Sequence, residues 1–164
     1  MTLTPNMIGI TTEPIVHDVD SRWLMAYAAG FGSLDPCYLD TRREGGIEAH
    51  PLFPVCLEWP SVLALGDRLR ATGLTRDESA RSVHYTHDLV IHRPVRPGDR
   101  TNTTATVASM EPHRSGTLAV FMLDTVDDRG EPIATTAMGS LYRHAVSTTP
   151  TRRRPESTAV EPRH

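Results

Sequence analysis

The stretch Ser82-Val-His-Tyr-Thr-His-Asp-Leu-Val-Ile-His-Arg93 places Val83, Tyr85, His87, Leu89 and Ile91 in alternation with polar residues. A period of two is the signature of a strand with one face toward a core and one toward water. Three further segments, residues 100–111, 117–127 and 132–143, are each rich in Val, Ile, Thr, Leu, Phe or Tyr. Turn-forming clusters at 94–99, 112–116 and 128–130 separate them. These linkers are too short for helical crossovers, which predicts hairpin-connected antiparallel strands.

Upstream of the strands the period changes to that of a helix. Residues 58–71 carry Val62, Leu63, Ala64, Leu65 and Leu69, with Pro60 expected in the first turn and Gly73 as the stop. A helix apolar on most sides must be wrapped by other structure. An earlier helix is expected from Asp20, its N-cap, to Gly30, with Trp23, Leu24, Tyr27, Ala28 and Phe31 as the apolar stripe. A loop follows from Ser33 to about Gly46. One buried helix followed by a long antiparallel sheet is an α+β architecture, with the helix in the concave face of a curved sheet.

The 164 residues suffice for one well-buried domain. We expect it to span residues 1–145. Residues 146–164 are rich in Thr, Pro, Arg and Glu and are read as a disordered tail, since they offer too little apolar surface to offset ordering entropy. A net charge of −3 supplies no basic face for nucleic acid. No apolar run approaches the ~20 residues of a membrane span, and residues 1–14 lack the features of a secretion signal. The expectation is a cytoplasmic protein with no membrane and no nucleic-acid partner. Cys37 and Cys56 are too few for a disulfide framework and are read as reduced thiols. His84 and His92 are expected on one side of a strand and His87 on the other, so no metal site and no cofactor is expected.

Four motifs in order carry a resemblance to a known family. They are Gly32-Ser-Leu-Asp-Pro-Cys-Tyr-Leu-Asp40, Ile47-Glu-Ala-His-Pro51, the run from His84 through Pro94-Val-Arg-Pro-Gly-Asp99, and Gly139-Ser-Leu-Tyr-Arg143. Together they resemble the MaoC-like (R)-specific hydratases and dehydratases of hot-dog fold, over roughly residues 7–145. The Ala-His-Pro and His-Arg-Pro forms are most similar to the dehydratase N-terminal-domain subgroup, in which one hot-dog half is often silent and pairs with an active half. The resemblance implies action on 3-hydroxyacyl or 2-enoyl thioesters of coenzyme A or acyl carrier protein, and a homodimer or heterodimer of hot-dog subunits. An unpaired sheet edge points the same way.

The family chemistry needs an Asp and a His acting on one water, and a backbone N–H polarising the thioester carbonyl. In this chain the Asp position is Ser33 and the His position is Tyr38. The N–H donor would belong to Pro51, which has none. The implied role is therefore a non-catalytic, acyl-binding half. Two other readings stand beside it. One is a stand-alone enzyme, an isomerase, dehydratase or cyclase, using Asp35, Tyr38 and His50. The other is a non-enzymatic module binding an acyl ligand or carrier protein. Substrate contacts are assigned to Ser33, Pro51, Phe53 and Arg93. For His50 the plainer role is a ring hydrogen-bonded to backbone at the start of the helix. Asp35 and Asp40 are ordinary turn formers.

Overall fold

The computed structural model describes residues 3–143; the expected tail, His144 and His164 lie outside the described residues. Five antiparallel strands form one sheet: β1 (Ile15–Asp18), β2 (Ser82–Ile91), β3 (Arg100–His113), β4 (Gly116–Asp127) and β5 (Pro132–Arg143), in the order β1-β3-β4-β5-β2. The helices are α1 (Ser21–Gly30), α2 (Pro36–Leu39), α3 (Pro54–Ala71) and α4 (Arg76–Ala80), with a 3-10 turn at Pro5–Met7. The long helix α3 packs on the sheet, giving the α+β arrangement expected of a hot-dog fold.

The two C-terminal connections are hairpins as expected, but the β2–β3 connection is not. β2 pairs with β5 at one edge, and β3 lies three strand positions away, paired with β4 and β1. Three inter-strand steps cover about 14 Å. Eight residues, 92–99, can reach well beyond that when extended, so a short linker crosses the end of a curved sheet without a helix. Backbone bonds pin this crossing: Ala49 N–H donates to Val95 O at 2.8 Å, and Gly98 N–H to Val19 O at 2.8 Å. Val95 is buried. The crossing therefore passes beside the start of α3.

The first helix matches its sequence signals. The Asp20 side chain accepts from Trp23 N–H at 2.7 Å, an N-cap bond. Leu24 and Ala28 are buried, but Phe31 at the end of the stripe is exposed and stacks on His50 instead. Helix α3 begins four residues earlier than expected. Pro54 takes the first-turn position, and Pro60 sits inside the helix. An interior proline forfeits one helical hydrogen bond. Burial of Leu57, Leu65 and Leu69, each worth about 1.5–3 kcal/mol, outweighs it. Nor is α3 wrapped all round, since Trp59 and Leu63 are more than half exposed.

The expected alternation of β2 breaks at Tyr85. The register with β5 shifts between His84, opposite Ser140, and Thr86, opposite Gly139. This bulge inserts one residue, so positions before and after it exchange faces. His84 and His87, assigned to opposite faces by simple alternation, therefore come together with ring centroids 5.3 Å apart. His92 stays apart, its Nε2 3.1 Å from Thr135 Oγ1. Gly139 makes the bulge possible: a Cβ there would run into Thr86 Oγ1 and lie 3.4 Å from Leu118 Cδ1. Gly139→Ala should destabilise the protein by about 1–3 kcal/mol through this overpacking. The shift is read as a lower urea midpoint with an unchanged m-value.

Candidate functional site

Three of the four motifs contribute residues to the place where α2, the 47–51 segment and the 92–99 crossing converge. Glu48 N–H donates to Cys37 O at 2.9 Å, which joins α2 to the segment before α3. The Tyr38 and His50 rings are thereby 5.4 Å apart, and Phe31 stacks on His50 at 5.1 Å with the planes 6° apart. A cavity of about 240 Å³ opens here, lined by Tyr38, Glu48, His50, Pro51, Ile91 and Pro94 among others.

Its polar groups are the Tyr38 phenol, the His50 ring and the Glu48 carboxylate. Burial, then the nearby Cys37 thiol, then the Asp35 and Glu48 carboxylates hold the Tyr38 phenol above its ordinary value, so it stays protonated near neutrality. His50 Nδ1 accepts from Leu52 N–H at 3.2 Å. In a neutral ring that bond leaves the proton on Nε2. Glu48 faces Arg96 across 3.7 Å.

The start of α3 offers no free backbone donor. Pro51 and Pro54 have no N–H. Leu52 N–H is given to His50, Phe53 N–H to His50 O at 2.8 Å, and Val55 N–H to Leu52 O at 3.3 Å. An oxyanion at this helix terminus would find every first-turn donor absent or taken.

The other expected site residues do not join this cavity. Asp35 is the exposed N-cap of α2 and makes no side-chain capping bond. Ser33 lies in the turn after α1, its N–H bonded to Ala28 O at 3.0 Å. Asp40 Oδ1 accepts from Arg42 N–H at 3.0 Å, the bond of a simple turn. Phe53, expected at the substrate, is fully buried edge-on against Trp23 and Tyr27 and belongs to the core. Arg93, expected to meet phosphates, has its guanidinium held by Asp99 at 2.8 and 3.2 Å and Asp127 at 3.4 Å. It braces the crossing.

A second group escaped the sequence reading. Glu58, on α3, is buried. Its Oε1 accepts from Thr136 Oγ1 at 2.6 Å. Its Oε2 lies 4.0 Å from His87 Nε2, and neither atom has a hydrogen-bond partner among the described residues. Burial pushes the Glu58 carboxyl up; burial, then the charge of His84, pushes His87 down. The available signal was a charged residue inside the apolar first half of α3. Among the described residues no group of His, Cys, Asp or Glu is placed to hold a metal ion.

The Glu58 shift sets a pH dependence. Below the ordinary glutamate pKa of about 4.3, folded and unfolded chains both hold the proton. Above it the unfolded chain ionises while the buried carboxyl resists, so the wild type loses stability as pH rises toward the raised folded value. Glu58→Gln keeps an acceptor for Thr136 and escapes this loss; His84 and His87 are common to both proteins. The variant should match wild type near pH 4 and gain on it toward neutrality in thermal unfolding. A gap that stays constant with pH would refute a protonated, buried Glu58.

Comparison with known proteins agrees with this fold. The family model described as FAS1-like, dehydratase domain region, matches residues 6–136. A curated relative, a UPF0336 protein of Streptomyces griseus, is 26% identical over 141 residues, covering 82% of this chain and 91% of its own. The MaoC-like dehydratase of Rhodospirillum rubrum superposes with a TM-score of 0.61 at 22% identity, covering 85% of this chain and 94% of the other. The C-terminally truncated HadBC (3R-hydroxyacyl-ACP dehydratase) complex of Mycobacterium tuberculosis gives 0.65 at 16% identity, covering 85% and 100%. At these identities the structures speak for the fold. With the family match over most of the chain, the protein belongs to the FAS1-like, dehydratase domain region family, with a hot-dog fold.

Proposed function

We propose that this chain is the acyl-binding, non-catalytic half of a hot-dog dehydratase/hydratase that acts on 3-hydroxyacyl and 2-enoyl thioesters. The observation that carries the reading is the start of α3, where every backbone donor is missing or engaged. A thioester bound there gains no polarisation of its carbonyl from the helix, the step on which enolate-like chemistry depends. Ser33 and Tyr38 stand at the family's dyad positions and supply no base near neutrality. Tyr38 and His50 still present donors to a cavity fit for positioning an acyl group.

The partner in this reading is a second hot-dog subunit carrying the Asp/His dyad, as the HadBC relative is itself a complex. The outer edge of β2 has no strand against it among the described residues. Its Val83, Tyr85, Val90 and Ile91 are exposed, as are Trp59 and Leu63 of α3. Unpaired edges beside apolar side chains are normally covered. The setting we infer is fatty-acid or polyketide metabolism in the cytoplasm.

The purified chain should therefore hydrate crotonyl-thioester no faster than buffer, followed by loss of enoyl absorbance. Adding a dyad-bearing hot-dog subunit should restore turnover by at least the factor of about 10²–10⁴ that acid–base groups supply. Robust hydration by the isolated chain, abolished by His50→Ala, would establish the stand-alone reading instead.

A further inference from the structure

Glu58 and His87 face a pocket of about 290 Å³ between α3 and the sheet, distinct from the Tyr38–His50 cavity. Apart from these two and His84, its walls are apolar, including Trp59, Val62, Leu123 and Met138. We propose that this pocket binds the hydroxyl of a compact apolar ligand, an alcohol or a hydroxylated alkyl or acyl segment, with the oxygen held between Glu58 Oε2 and His87 Nε2.

The spacing is the first support. At 4.0 Å the two atoms are too far apart to bond each other. An oxygen about 2.7 Å from each would bridge them, with roughly 95° between the two contacts at the oxygen. Both atoms are buried and unpartnered among the described residues, a state that costs about 1–3 kcal/mol per group unless a ligand or water relieves it. The other Glu58 oxygen is already satisfied by Thr136, which fixes the carboxyl plane.

Protonation decides the chemical class. Burial keeps Glu58 toward its acid form and His87 toward its neutral form. In its acid form Glu58 donates from Oε2, and a neutral His87 with its proton on Nδ1 accepts at Nε2. A hydroxyl accepts from the first and donates to the second. A carbonyl would satisfy Glu58 alone and an ammonium His87 alone, while a phosphate would meet no fixed cation. The volume argues for more than a water: a water's share of liquid is about 30 Å³, and the remaining space is walled by hydrocarbon. The ligand is thus apolar with one hydroxyl, and this inference does not depend on the thioester reading.

The bulge at Tyr85 completes the site by bringing His84 onto the face where His87 already meets α3. Trp59 lines the pocket and serves as a reporter. The test follows the indole ¹H–¹⁵N signals of the full-length chain, with Trp59→Phe assigning the resonance. The probes are cyclohexanol, cyclohexanone and fluorocyclohexane. Cyclohexanol should shift the Trp59 signal saturably and bind at least about tenfold tighter than fluorocyclohexane, as two satisfied hydrogen bonds imply. Cyclohexanone should fall between. Glu58→Leu and His87→Phe should each shrink the preference below about threefold, and Glu58→Gln, which retains a donor, should keep it. Equal affinity for the three probes, an unmoved Trp59 signal, or a preference that survives His87→Phe would each overturn the proposal. The wild-type probe series decides the matter even if a variant fails to fold, and the hydration assay leaves it untouched.

Discussion

Burial of α3 against the curved sheet is the interaction on which the rest of the structure depends. Leu57, Leu65 and Leu69 are withdrawn from water by this contact, and Phe121, Leu123 and Met138 close over the helix from the sheet side. Ser61 Oγ adds a buried hydrogen bond to Thr103 O at 3.1 Å, tying the middle of the helix to β3. With α3 held there, its first turn is fixed beneath the 92–99 crossing and its outer flank beside β2. Both cavities follow from that placement. One opens at the start of α3 and the other along its flank, and neither lies on the helix alone.

The same contact explains why polar side chains survive in an apolar setting. Glu58 occupies a position that packing against β5 makes dry, and Thr136 satisfies one of its oxygens. A dry carboxyl with one oxygen unpaired is unfavourable for folding unless something else accompanies it. By contrast, the start of α3 has its polar groups consumed locally, by prolines and by the His50 ring. The polar groups at the start of α3 are thus satisfied locally, while the unsatisfied polar atoms lie at Glu58, further along the helix.

Much of the fold was legible in order along the chain. The Asp20 cap, the four C-terminal strands and the apolar run of α3 are local signals, and local signals follow backbone periodicity and capping chemistry. The short strand β1 and helices α2 and α4 were missed because they are only four or five residues long. For α4, Thr75 and Glu78 do form a complete capping box, a signal present in the sequence. Pro54 and Pro60 could each have opened α3. Tertiary burial of Phe53 and Leu57, not proline chemistry, chose the first.

By itself, the sequence determined the class of elements and the order of the motifs along the chain, since each of these is a matter of residue type and spacing. That Ser33, Tyr38 and Pro51 bring a hydroxyl, a phenol and a backbone without N–H holds whatever the chain does around them. Only the tertiary structure decided which strand neighbours which, that β2 lies beside β5, and that Glu58, His84 and His87 meet. Those facts rest on pairing between residues far apart in the chain and on one bulge. A single inserted residue reverses the faces of a strand; this one sits where Gly139 leaves room for Thr86, a fit between residues more than fifty positions apart that periodicity does not encode.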